Sequence, residues 1–130
     1  MNRPFELKGR MRSFRYAGRG IALVLRSQPN AWIHAAATAA VIVAGLLLGI
    51  SRTEWCLIVL ACAAVWSAEA LNTAFEHLAD ATTPEFHPVV GQAKDVAAGA
   101  VLVTVAAAVV IGFLVFGPHL LVLVQTGRLP

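Results

Sequence analysis

The chain has 130 residues, of which 58% are hydrophobic and only 13% charged, with a formal net charge of +3. Soluble domains average roughly a quarter charged residues, so this composition, with a mean hydropathy of +0.74, excludes an ordinary water-soluble fold. The length suits a single domain, 1–130.

Seven of the ten basic residues (Arg3, Lys8, Arg10, Arg12, Arg15, Arg19 and Arg26) precede the first apolar run. Few aromatics are interleaved and no nucleic-acid-binding motif follows, which sets nucleic acid aside as a partner. Beside a membrane segment, the cluster reads as a cytoplasmic anchor on anionic lipid. Residues 5–27 mix Phe5, Leu7, Met11, Phe14, Tyr16, Ile21 and Leu25 with those arginines. This pattern predicts an amphipathic helix lying in the membrane interface, its arginines snorkelling to phosphates. "SQPN" (27–30) ends it, because Pro29 disfavours a helical residue before it.

The first predicted span is 31–50, and about 20 apolar residues suffice to cross a bilayer. A long basic stretch precedes it and further spans follow, so it reads as a retained span and not a cleaved leader. "SRTE" (51–54) is a polar turn in which Ser51 can cap the next helix. The second span is 55–78. Its cysteines, Cys56 and Cys62, are six apart and point in different directions on a helix, so they read as core. Residues 80–95, "DATTPEFHPVVGQAKD", read as a polar loop, and 96–124 as the third span, with Gly117-Pro118 ending or kinking it. The fold class is therefore all-α: three transmembrane helices plus the N-terminal interfacial helix. The arginines place residues 1–30 in the cytoplasm. Residues 51–54 then face outward, 79–95 return to the cytoplasm, and the C-terminus lies outside. The basic helix, the polar loop and one end of the second span share the side that holds ATP.

The second span carries an unusual polar load. With Glu69 at zero, Asn72 falls at about −60°, Glu76 at about −20° and Asp80 at about +20° on a helical wheel. All four share one face. Asp80 lies at the water boundary, Glu76 just inside it, and Glu69 about 10 Å deeper along the helix than Glu76. An Asn alone can serve as glue between membrane helices. Carboxylates within a membrane are costly and mark function. Lys94 and Asp95 open the third span at the same level. A carboxylate on one helix and a lysine on the next can hold Mg²⁺ and a polyphosphate. No P-loop occurs. His34, His77, His87 and His119 are scattered, against a histidine metal cage.

"EALNTAFEHLAD", "TPEFHPVVGQAKDVAAGAVL" and "FRYAGRGI" resemble the signature, the loop with third-span start, and the N-terminal helix of the prokaryotic diacylglycerol kinase family, small integral-membrane lipid kinases. "SQPNAWIH" and "LLLGISRTEW" look closer to its undecaprenol kinase branch. The resemblance covers nearly the whole chain. It implies a homotrimer of three-span protomers in the bacterial inner membrane, using Mg²⁺ and ATP to phosphorylate undecaprenol or diacylglycerol on the cytoplasmic side. It implies Glu69 as catalytic base, at the lipid substrate with Ala98, and Glu76 as a metal ligand. Tyr16, Gln28, Asn72, Glu76, Glu85, Phe86, His87, Lys94 and Asp95 are implied for ATP. These roles match phosphoryl transfer, which needs positioning, metal charge and a group to take the hydroxyl proton. Two departures stand out. At position 28 many of these kinases carry a metal-ligating Glu, whereas this chain has Gln28, whose amide oxygen can ligate but brings no charge. Gly9, between Lys8 and Arg10, stands where some members place an arginine. Gln28 is expected to reach Glu76 within the trimer.

Two other function classes fit part of the pattern. A small proton-coupled transporter would use membrane glutamates, but has no use for Lys94 and Asp95. A catalytically weakened assembly protein of the same fold would account for Gln28. ATP-dependent lipid phosphorylation separates both from a kinase.

Overall fold

The computed structural model describes residues 7–83, 85 and 87–127, with side chains from Arg10 onward. Residues 5 and 6 of the expected first helix, and Phe86, lie outside the described residues. Four helices follow one another: α1 (Leu7–Ser27), α2 (Pro29–Leu47), α3 (Arg52–Thr82) and α4 (Pro88–Thr126). There is no strand among the described residues. The last three are long and apolar enough to cross a membrane. This is an integral membrane protein.

Each helix boundary has a local cause. Pro29 occupies the first turn of α2, where its missing N–H is harmless. Gln28 before it is extended, at φ −113° and ψ 115°, so one residue separates α1 from α2. At the other end of α2, Gly49 takes a left-handed φ of 60°. The Ile50 N–H then reaches back to the Gly45 carbonyl at 3.2 Å, the long bond of a Schellman turn. Ser51 starts α3 with a full capping box: its hydroxyl accepts from the Glu54 N–H at 3.3 Å, and its own N–H donates to Glu54 Oε2 at 2.6 Å.

The reversal between α3 and α4 is shorter than the sequence suggests. The polar stretch 80–95 read as a loop, yet α3 continues to Thr82 and α4 begins at Pro88. Pro88 at the first helical position carries a φ already suited to a helix. Residues 88–95 therefore form the polar first turns of a 39-residue helix. At 1.5 Å per residue α4 is about 58 Å long, against roughly 30 Å of hydrocarbon, so those turns need not enter lipid. Nor does Gly117-Pro118 end the third span. The helix runs through Pro118 to Thr126 and closes on Gly127 at φ 64°.

α3 is the central element. It packs most extensively on α4 and also meets α1 and α2. Its buried stripe runs through Ile58, Ala61, Val65, Glu69, Asn72 and Thr73. The apolar part of the core is Leu48, Ile50, Ile58 and Val115, braced by Val41 and Trp55. This cluster lies at the α2–α3 turn. There Glu54 Oε1 also pairs with His119 Nε2 at 3.0 Å, tying α3 to α4 just beyond Pro118. Most large apolar side chains point outward, including Leu60 at 67% and Phe113 at 75% exposure. So much exposed apolar surface requires lipid or further protein around it.

Gly45 marks the tightest contact. A Cβ there would lie 2.8 Å from the Trp55 ring and 3.0 Å from Ile50 Cδ1. Gly45→Leu is expected to destabilise the bundle by about 1–3 kcal/mol through overpacking. Thermal unfolding in detergent micelles measures this, and an unmoved midpoint would show that the turn has room the geometry denies.

Candidate active site

The buried stripe of α3 changes from apolar to polar after Val65. Glu69 is 1% exposed, Thr73 2% and Asn72 7%, while Glu76 is half-buried. Thr73 donates its hydroxyl to the Glu69 main-chain carbonyl at 2.8 Å, which satisfies the hydroxyl within the helix. The carboxylates and Asn72 look instead to α2 and to one another.

They form two levels. At the outer level, both oxygens of Glu76 are engaged. Gln28 Nε2 donates to Oε2 at 2.5 Å, and Asn72 Nδ2 donates to Oε1 at 3.1 Å. Amide donors to a carboxylate are charge-assisted and stronger than neutral pairs. Asn72 Oδ1 is buried and has no hydrogen-bond partner. At the inner level, Glu69 Oε2 lies 3.6 Å from His34 Nε2 on α2, and Glu69 Oε1 has no partner. The His34 ring stands edge-on to Trp66, with centroids 6.2 Å apart and planes at 72°. Trp66 Nε1 in turn donates to Thr38 at 3.1 Å.

Lys94 projects from α4 onto Asp80 Oδ1 at 2.8 Å, so the third acid of the stripe holds the lysine and Glu76 does not. The other residues singled out from the sequence stand further out. Tyr16 is exposed on α1, Glu85 in the bend, and His87 at the cap position of α4. Asp95 is exposed and joins no ion pair among the described residues. Ala98 is exposed too, but lines a groove of about 250 Å³ with Asn30, His34 and Val101. A second groove, about 200 Å³, runs from His34 and Thr38 past Val41, Ile58, Val65 and Val109. A larger cleft between α3 and α4, about 700 Å³, has Asn72 and Gln92 among apolar walls that include Phe75 and Val89.

Glu76 and Glu69 thus form a two-step path from the polar end of the bundle into its apolar interior. Residues 15–116 match the sequence pattern of the prokaryotic diacylglycerol kinases. The chain belongs to that family. An undecaprenol kinase of Bacillus subtilis (strain 168) is 44% identical over 115 residues, covering 88% of this chain and 94% of its own length. A diacylglycerol kinase of Synechocystis sp. (strain ATCC 27184 / PCC 6803 / Kazusa) is 39% identical over 110 residues, covering 84% of this chain and 63% of its own length. As a member of this family the protein is a membrane lipid kinase that draws its phosphoryl group from ATP. The membership does not favour a transporter.

Gln28 reaches Glu76, as expected from the sequence, and does so within one chain. One contact escapes the sequence: His34 meets Glu69, although it reads as one of four scattered histidines. A signal for it exists. α2 and α3 are consecutive spans and run antiparallel. Gln28 and His34 are six residues apart, and Glu76 and Glu69 seven, so both pairs sit about 10 Å apart along their helices.

Asn72→Leu removes one of the two donors to Glu76. It is expected to cost about 1–3 kcal/mol, because a partly buried carboxylate oxygen loses its partner. Asp80→Asn, which breaks only the exposed pair with Lys94, should leave the thermal midpoint nearly where it is. Unfolding of both variants in detergent checks the contrast, and an Asn72→Leu midpoint equal to that of the parent would dismiss the outer level as a structural contact.

Proposed function

We propose that the protein phosphorylates undecaprenol with Mg-ATP at the cytoplasmic face of the bacterial inner membrane, the whole chain acting as one kinase domain within a homotrimer. Glu69 is the general base and Glu76 the metal ligand. The observation that carries this reading is the pair of levels: an amide-held carboxylate near the polar end, and a buried one with a free oxygen beside an apolar groove.

The transfer itself is simple. The lipid hydroxyl oxygen attacks the γ-phosphorus of ATP, the bond to the bridging oxygen of ADP breaks, and Glu69 Oε1 takes the hydroxyl proton. Burial of Glu69 keeps water from competing with the lipid as acceptor. Lys94, a mobile point cation, is suited to phosphate oxygens once it leaves Asp80. Tyr16, Glu85, Phe86, His87 and Asp95 complete the ATP side in the assembled protein.

The residues present fit Mg²⁺. It prefers oxygen ligands and is often bound by one or two carboxylates plus substrate phosphates. Glu76 would hold it with the unpartnered Asn72 Oδ1, and Gln28 can add its own amide oxygen by turning its amide over. When bound, the ion neutralises charge on the phosphate oxygens. Among the described residues no three His, Cys, Asp or Glu side chains converge on one point, which suits an ion held largely by its nucleotide.

The identity of the lipid rests on the groove beside Glu69. Its walls are hydrocarbon apart from His34, Thr38 and Cys62. Diacylglycerol carries two ester groups close to its hydroxyl, and burying them without donors is unfavourable. In a polyprenol, hydrocarbon continues directly from the carbinol carbon. The similarity to the Bacillus undecaprenol kinase points the same way.

Purified protein in mixed micelles with labelled ATP should phosphorylate undecaprenol in preference to diacylglycerol, and the reverse preference would overturn the choice of lipid. Glu69→Gln should lower turnover by about 10²–10⁴-fold with the fold intact; activity within a few-fold of the parent would remove Glu69 from the mechanism. Gln28→Glu should tighten Mg²⁺ by on the order of 1–3 kcal/mol, since a charged oxygen replaces an amide. That gain should vanish in a Glu76→Ala background if the two residues share the ion. Mg²⁺ titrations of activity across the four proteins decide this.

A further inference from the structure

α2 carries a single ionisable side chain, His34, in an otherwise alanine-rich and apolar helix. An ionisable group inside a membrane helix is costly and usually has a task. Its side chain is 13% exposed, against 2% for Glu69. Its surroundings fix its direction. Trp66, anchored by its bond to Thr38 one turn along α2, stands edge-on to the imidazole. Nε2 then faces Glu69 Oε2 at 3.6 Å, beyond hydrogen-bond length but within ion-pair range. His34 Nε2 and Glu69 Oε1 are both buried without a hydrogen-bond partner. The two oxygens of Glu69 are therefore unequal: one faces the ring and the other has no hydrogen-bond partner among the described residues. His34 also lines both grooves that flank this point, one with Ala98 and one with Thr38 and Val65.

We propose that His34 is a positioning residue for Glu69: its Nε2 engages Oε2, which leaves Oε1 aimed at the hydroxyl of the lipid that arrives along the grooves. This rests on the reading of Glu69 as the base. His34 acts through the carboxylate. A closure of well under 1 Å turns the present contact into a hydrogen bond of ordinary length. The neighbouring polar groups do not substitute for it: the Thr38 hydroxyl is engaged by Trp66, and the Thr73 hydroxyl points to the Glu69 main chain.

The test compares His34→Gln with His34→Met in the full-length protein, in mixed micelles of detergent and undecaprenol. The two side chains have similar length and differ at the end, where Gln keeps an N–H donor. His34→Met should lower kcat about 10–10²-fold, the scale of a misdirected reacting group, with the KM for ATP unmoved. His34→Gln should recover most of the rate. In a Glu69→Gln background, His34→Met should cause no further loss, because residues that act as a unit are not additive. His34→Leu repeats the comparison if the Met variant does not assemble. Equal kcat in the Met variant and the parent, or equal loss in the Met and Gln variants, would overturn the proposal. Glu69→Gln measured alongside separates the two ideas. An active Glu69→Gln removes the base, whereas an inactive Glu69→Gln with a fully active His34→Met removes only the role of His34.

Discussion

A carboxylate carried into a membrane must be met by partners there, and α3 carries two of them. Much of the arrangement answers that demand. Glu76 is met by amides from its own helix and from the start of α2, and Glu69 by a histidine from α2 and by enclosure. Hydrocarbon offers no hydrogen bonds, so such groups hold the helices that partner them in one register. The apolar core at the far turn is small, with four buried residues in its cluster. Polar contacts at one end and close packing around Gly45 and Trp55 at the other locate α2 against α3.

In the proposed reaction the two levels serve opposite chemical needs with the same residue type. A metal-bound polyphosphate belongs near water, where Glu76 is half-buried and Lys94 is held at the rim by Asp80. A lipid alcohol comes from the hydrocarbon side, where Glu69 is closed off and the adjoining walls are apolar. The spacing of two helical turns between them lets one helix face serve both.

Much of this was legible in the residues. The three spans follow from long apolar runs, and the acidic stripe from its helical spacing, since both are properties of one segment read alone. The start of α4 is harder to read, because residues 88–95 are polar and polarity suggests a loop; Pro88 at the first turn of a helix is the better guide. The continuation through Pro118 was likewise invisible locally, because a proline in a long membrane helix can be accommodated where neighbours satisfy the freed carbonyl. His34 was missed for a different reason. A lone histidine among alanines has no periodic partner, and its meaning comes from the register between two helices. Gln28, by contrast, stands out in the sequence as a departure expected to reach Glu76, and it does so within one chain.

The joint between α1 and α2 is a single extended residue, Gln28. One residue has two soft dihedrals, so the heading of α1 relative to α2 turns on Gln28 φ and ψ. The same residue's side chain is fastened to Glu76. A swing of the arginine-rich helix about that pivot must therefore either rotate the fastened amide or strain against it. The helix on the outside and the carboxylate on the inside are geared through one residue, which makes this joint a mechanical linkage as well as a corner in the chain.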